Sequence, residues 1–92
     1  MDAIKAVINE LTITYPKFKF TKASTTYSAV AIINIKCMPG EQDLAYYGGD
    51  SCGYCVLDNT FYDIKKFIQN KLTDYRIIDF VNGNRSGSFE IH

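Results

Sequence analysis

Cys52-Gly53-Tyr54-Cys55 is the loudest chemical motif in the chain. Two thiols at this spacing before a helix resemble thiol–disulfide exchange sites, where a helix N-terminus lowers the pKa of one thiolate. The surroundings speak against that chemistry. Such a site needs a strand leading into it and a helix starting at the pair. Here acidic, glycine-rich sequence precedes the pair, and the next helix cap comes only at Asp58, Asn59 or Thr60. Asp50 and Asp58 also disfavour a thiolate nearby. The second use of the pair is structural zinc, which takes four Cys or His ligands. The chain offers Cys37, Cys52, Cys55 and His92 for it, without a second close pair. The ordinary alternative is that Cys37 and one member of the pair are small core residues. No cofactor is expected.

Other catalytic assemblies are hard to build. His92 is the sole histidine, so any Ser-His or Cys-His couple depends on the last residue of the sequence. Gly48-Gly49 has neither a following Lys nor a long strand before it, so it is no phosphate-cradling loop. An enzyme is therefore not expected. Lys17, Lys19 and Lys22 beside Phe18 and Phe20, with Lys65, Lys66 and Arg85 further on, raise nucleic-acid binding. Alternation along a strand sends Lys17 and Lys19 to the face opposite Phe18 and Phe20, so one surface cannot show both charge and stacking rings. Direct nucleic-acid binding is disfavoured on that ground.

Charge distribution is more informative than total charge. The 92 residues hold ten cations and ten anions, a formal net charge of zero. Residues 1–38 carry Lys5, Lys17, Lys19, Lys22 and Lys36 against Asp2 and Glu10, a surplus of +3. Residues 64–92 carry Lys65, Lys66, Lys71, Arg76 and Arg85 against Asp74, Asp79 and Glu90, a surplus of +2. Between them, residues 39–63 hold Glu41, Asp43, Asp50, Asp58 and Asp63 with no Lys or Arg, which is −5. The same stretch mixes Tyr46, Tyr47 and Tyr54 with Gly and Ser, the composition of adaptable binding loops. Glu41, Asp43, Tyr46, Tyr47, Asp50, Tyr54 and Asp58 are the expected partner-binding residues. Their natural partner is a protein with a basic patch, such as a nucleic-acid enzyme. The bland alternative is a solvated polar loop with tyrosines half-packed on the sheet.

The elements that must position these residues follow from periodicity. Ile4, Val7, Ile8 and Leu11 mark a helix over about 2–14, opened by Asp2 and closed by Tyr15-Pro16. Lys17 to Thr21 alternates strictly, and 28–37 is the longest strand, apolar on both faces for half its length; the two form a hairpin. Both-sided apolarity suggests a central strand covered on both sides, or a homodimer contact. Pro39-Gly40 breaks the strand, and Tyr46-Tyr47 and Gly53–Leu57 are short strand candidates. Phe61, Ile64, Phe67, Ile68 and Leu72 form the apolar stripe of a second helix. Tyr75–Val81 and Ser88–Ile91 flank an Asn82-Gly83-Asn84 turn, with the last segment as an edge strand. The expected fold is one α+β domain over 1–92. It has a mostly antiparallel β-sheet of four to five strands and two helices packed on one face, in the order α-β-β-(β)-α-β-β.

No basic-then-apolar leader follows Met1-Asp2-Ala3. The longest apolar run, Ala29–Ile33, is far short of the roughly 20 residues that span a bilayer. With three cysteines, an odd number, this points to a reduced cytoplasmic setting and no membrane.

One stretch carries a resemblance. Ile4-Lys5 through Tyr15-Pro16-Lys17-Phe18-Lys19-Phe20-Thr21, then Ser24–Ser28 and Val30–Ile35, resembles the start of a large polyvalent-protein-associated domain family. In it a helix ends in an aromatic-Pro pair, and a Lys-Phe strand, a Ser-rich turn and a second strand follow. The likeness covers about the first 38 residues; beyond it, this chain carries its acidic cysteine loop instead. That family occurs in proteins of phages and conjugative elements. The resemblance implies a mobile-element factor in the host cytoplasm that acts on a host macromolecule, for instance an anti-defence (anti-CRISPR type) inhibitor. It transfers no functional residue.

Overall fold

The computed structural model describes residues 2–23, 29–40, 45–47, 55–57, 59–81 and 85–92. Helix α1 is Asp2–Thr14. Its stripe Ile4, Val7 and Leu11 is buried, and Pro16 ends it as the sequence predicts. The Tyr15 N–H still donates to the Leu11 carbonyl at 2.8 Å, and the Phe18 N–H reaches the Tyr15 carbonyl at 3.2 Å, turning the chain into the sheet. Strands β1 (Phe18–Ala23) and β2 (Ala31–Cys37) form the expected hairpin, with Phe18 opposite Cys37 and Ala23 opposite Ile32. Pro39-Gly40 then turns the chain, and Gly40 sits at φ 83°, a value that β-carbon-bearing residues rarely take. That φ suits the third position of a type II turn, with Pro ahead of it.

Strands β3 (Ala45–Tyr47) and β4 (Cys55–Leu57) pair antiparallel as a separate two-stranded sheet. Helix α2 is Asn59–Lys71, followed by β5 (Ile77–Val81) and β6 (Ser86–Ile91). The main sheet has four antiparallel strands in the order β1-β2-β6-β5. The α+β class, with two helices and an antiparallel sheet, is as the sequence predicts. One placement differs. The last strand is not an edge: β6 lies between β2 and β5, and β1 and β5 are the edges. Its alternation explains this, since Gly87, Phe89 and Ile91 all face the helices and are buried.

The core lies between both helices and one face of this sheet. Ile4, Val7 and Leu11 from α1 meet Phe61, Ile64 and Ile68 from α2, and Leu72 just after it, over Phe20, Ala31, Ile33, Ile35, Cys37, Ile77, Phe89 and Ile91. Burying each large apolar side chain contributes roughly 1.5–3 kcal/mol. The Phe61 ring stacks on Phe89 at 5.0 Å between centroids, and Tyr15 meets Phe67 edge-on at 5.9 Å, tying the end of α1 to α2. Gln69 donates to the Tyr75 carbonyl at 2.8 Å, which fixes the chain leaving α2. No described helix is long and apolar enough to cross a membrane.

Candidate functional site

The sequence-predicted partner surface sits between β2 and α2. Tyr46 and Tyr47 lie on β3, in register with Val56 and Cys55 of β4. Glu41, Asp43, Asp50, Tyr54 and Asp58 lie outside the described residues, as does Cys52. Topologically the acidic stretch is an excursion. The chain leaves β2, forms its own two-stranded sheet, and re-enters the main body at α2 without adding a strand to the four-stranded sheet. Asp63, the last carboxylate of the stretch, is exposed on α2. It acts on Tyr15, whose pKa is raised first by burial and then by the charge of Asp63.

The four-ligand zinc set does not close. Cys37 is buried, and its N–H bonds the Arg85 carbonyl at one end of the sheet. His92 exchanges backbone hydrogen bonds with Arg76 at the other end, next to Val30. Seven residues of β2 at about 3.3 Å each separate the two positions, roughly 23 Å, whereas zinc ligands all sit about 2.0–2.3 Å from the ion. The His92 imidazole instead meets Glu90 Oε1 at 3.0 Å. Cys55 opens β4 and α2 begins at Asn59, so no helix starts at Cys55.

The lysines do not form one surface. Lys65 lies on the helix side and pairs with Asp79 of β5 at 2.5 Å, while Lys19 lies on the opposite face of the sheet. Lys71 bridges to Glu10 of α1 at 3.2 Å and covers the Phe67 ring at 5.6 Å. The alternation argument for β1 holds: Phe20 is buried and Lys19 is exposed.

Sequence reasoning missed a different cluster, on the sheet face turned away from the helices. The registers arrange this face in rows. Lys19, Lys36 and Ser86 form the first, and Thr21, Asn34, Ser88 and Phe80 the second. Ala23, Ile32, Glu90 and Ile78 form the third. Lys19, Thr21, Asn34 and Lys36 are exposed, and Phe80 is 44% exposed. A shallow groove of about 400 Å³ runs along Lys19, Thr21, Asn34, Lys36, Ser86 and Gly87. It adjoins a second groove bounded by Lys19, Lys36, Met38, Pro39 and Arg85, where Arg85 Nη2 donates to the Met38 carbonyl at 2.9 Å. The outward alternation of Lys19 and Lys36 is visible in the sequence. That they lie opposite each other, with Ser86 and Arg85 beside them, depends on long-range pairing.

No protein-family model, no curated protein and no solved structure matches the chain.

Proposed function

We propose that this chain is a non-enzymatic interaction protein. Its acidic, tyrosine-bearing 41–63 segment docks on a basic surface of another protein. The observation that carries this reading is the pairing of charge with topology. The −5 stretch contains β3 and β4, which pair with each other and not with the four-stranded sheet. Connecting segments held by a rigid scaffold are where binding residues concentrate, because they can vary without cost to the core. Glu41, Asp43, Asp50 and Asp58 supply the charge that steers a cationic partner, and Tyr46, Tyr47 and Tyr54 supply contact area with few rotors.

If the partner is a nucleic-acid enzyme of the host, the mechanism is occlusion. The acidic segment occupies the surface that otherwise takes phosphates, by sterics and by charge. The resemblance to proteins of phages and conjugative elements supports an inhibitor of a defence nuclease as the first case to examine. The test compares capture from a bacterial host lysate by the wild-type chain and by the Asp43→Asn, Asp50→Asn, Asp58→Asn triple variant. The reading predicts a basic protein that the wild type retains and the variant loses. For the purified pair, affinity falls with added salt and the variant flattens that dependence. Equal affinity and equal salt dependence for both chains sink the idea.

A further inference from the structure

The open face of the main sheet has chemistry of its own, independent of the acidic segment. Lys19 and Lys36 are directly opposite on β1 and β2. Like charges so placed repel, with β-carbons about 4.5–5.5 Å apart. Among the described residues neither ammonium has a carboxylate partner, whereas Lys65 and Lys71 on the other side of the sheet do. Arg85 adds a third cation at the same end, its guanidinium held against the Met38 carbonyl. Thr21, Asn34 and Ser86 bring hydroxyl and amide donors into the same groove. The carboxylate on this face, Glu90, sits in the third row and meets His92. Among the described residues the charge of the face is therefore graded, cationic at the end away from the β1–β2 turn and uncharged in the second row.

Phe80 supplies what a purely ionic patch lacks. It lies in the second row, beside Ser88, and is 44% exposed although it is a large apolar ring. Two strand spacings across and two residues along place it about 12 Å from Lys36. A flat ring on an open antiparallel sheet, at that distance from a cation pair, matches an extended strand with its phosphates on the lysines and one base on the ring. This pairing differs from the one that strand alternation excludes. Phe18 and Phe20 do face away from Lys19; Phe80, from another strand, does not.

The geometry points to the Lys19–Lys36–Arg85 groove with Phe80 as a site for single-stranded nucleic acid. Phosphates relieve the Lys19–Lys36 repulsion, and recognition is by backbone charge and stacking rather than by base edges. About three phosphate contacts on a single strand give a slope of log affinity against log salt near −2. Binding then falls roughly 20-fold between about 50 and 200 mM salt.

The experiment is fluorescence anisotropy of a short labelled oligouridylate titrated with the full chain across that salt range. The wild type is expected to bind with the slope near −2. The Lys19→Gln, Lys36→Gln double variant should leave one phosphate contact and a slope near −0.7. Phe80→Ala should weaken binding about 5- to 150-fold with an unchanged slope, because stacking releases no counterions. All three positions are exposed, and unfolding curves of the variants confirm that the fold is kept. Absence of binding at low salt overturns the proposal. So does binding that both variants leave intact. Oligoglutamate binding as tightly as the oligonucleotide, with Phe80→Ala sparing both, overturns it in favour of an acidic protein partner.

Discussion

Gly87→Ala is the substitution for which the structure gives the sharpest expectation. Gly87 lies on the helix-facing side of β6, opposite Ile35 on β2 and Val81 on β5. A β-carbon built there falls 2.5 Å from the Phe80 carbonyl oxygen, 3.3 Å from Phe61 Cε2 and 3.6 Å from Ile35 Cγ2. The last contact is ordinary, and the second asks the Phe61 ring to yield by a few tenths of an ångström. The first cannot be relieved by any rotamer, because the atom belongs to the backbone of the neighbouring strand. The β5–β6 ladder must open instead. Overpacking of this kind costs typically 1–3 kcal/mol. Restricting the unfolded chain by replacing Gly returns about 0.4–1 kcal/mol. The net expectation is a loss of roughly 1–2 kcal/mol, which for a domain of this size lowers Tm by about 5–15 °C. Circular dichroism during thermal and urea unfolding measures it. Phe61→Leu made in the same background should recover little, since the carbonyl clash remains. Wild-type stability for Gly87→Ala, or full recovery by Phe61→Leu, refutes the reasoning. The site also links stability to the open face, because the carbonyl in question belongs to Phe80.

Two further substitutions probe the helix side. Lys65→Met leaves Asp79 half-buried without its cation, and a loss of about 1 kcal/mol is expected, between the values for exposed and buried pairs; urea unfolding at low and high salt measures it, with a smaller difference at high salt. Tyr15 has a folded-state pKa raised above its ordinary value, chiefly by burial. Its contribution to stability is thus fully present below the unfolded pKa and lost as pH rises through the folded one. Tyr15→Phe should remove that part of the alkaline loss, so the Tm difference between wild type and variant shrinks or changes sign across the alkaline range. A difference independent of pH contradicts the assignment.

The local elements were legible in the sequence because their signals are local. Ile4, Val7 and Leu11 recur at helical spacing and are buried; Phe18 to Thr21 alternates and forms β1. The Phe61–Leu72 stripe marks α2, and its members Phe61, Ile64, Ile68 and Leu72 face the core. What was not legible is what the registers decide. Ser88–Ile91 reads as an edge because it is short and half polar, yet the strand runs from Ser86 and its inward positions are Gly87, Phe89 and Ile91, which suit an interior strand. Asp79 enters the sequence only as one of its charges, but it faces the helices from edge strand β5 and takes Lys65 as partner. A charge facing inward on an edge discourages further strand addition. The Lys19–Lys36–Arg85 cluster draws on three separate segments, so no window along the chain contains it. For the acidic segment the charge pattern is legible in the sequence, and only Tyr46 and Tyr47 of its predicted contact residues lie in a described element.

The claim that residues 41–63 form the partner-binding surface has one most direct measurement: amide hydrogen exchange of the chain alone and saturated with the basic protein it captures. Docking through this surface slows exchange within 41–63, and the Asp43, Asp50 and Asp58 to Asn variant abolishes this slowing at equal concentrations. Unchanged exchange across 41–63 with the partner bound, and protection confined to β1, β2 and β6, contradicts it.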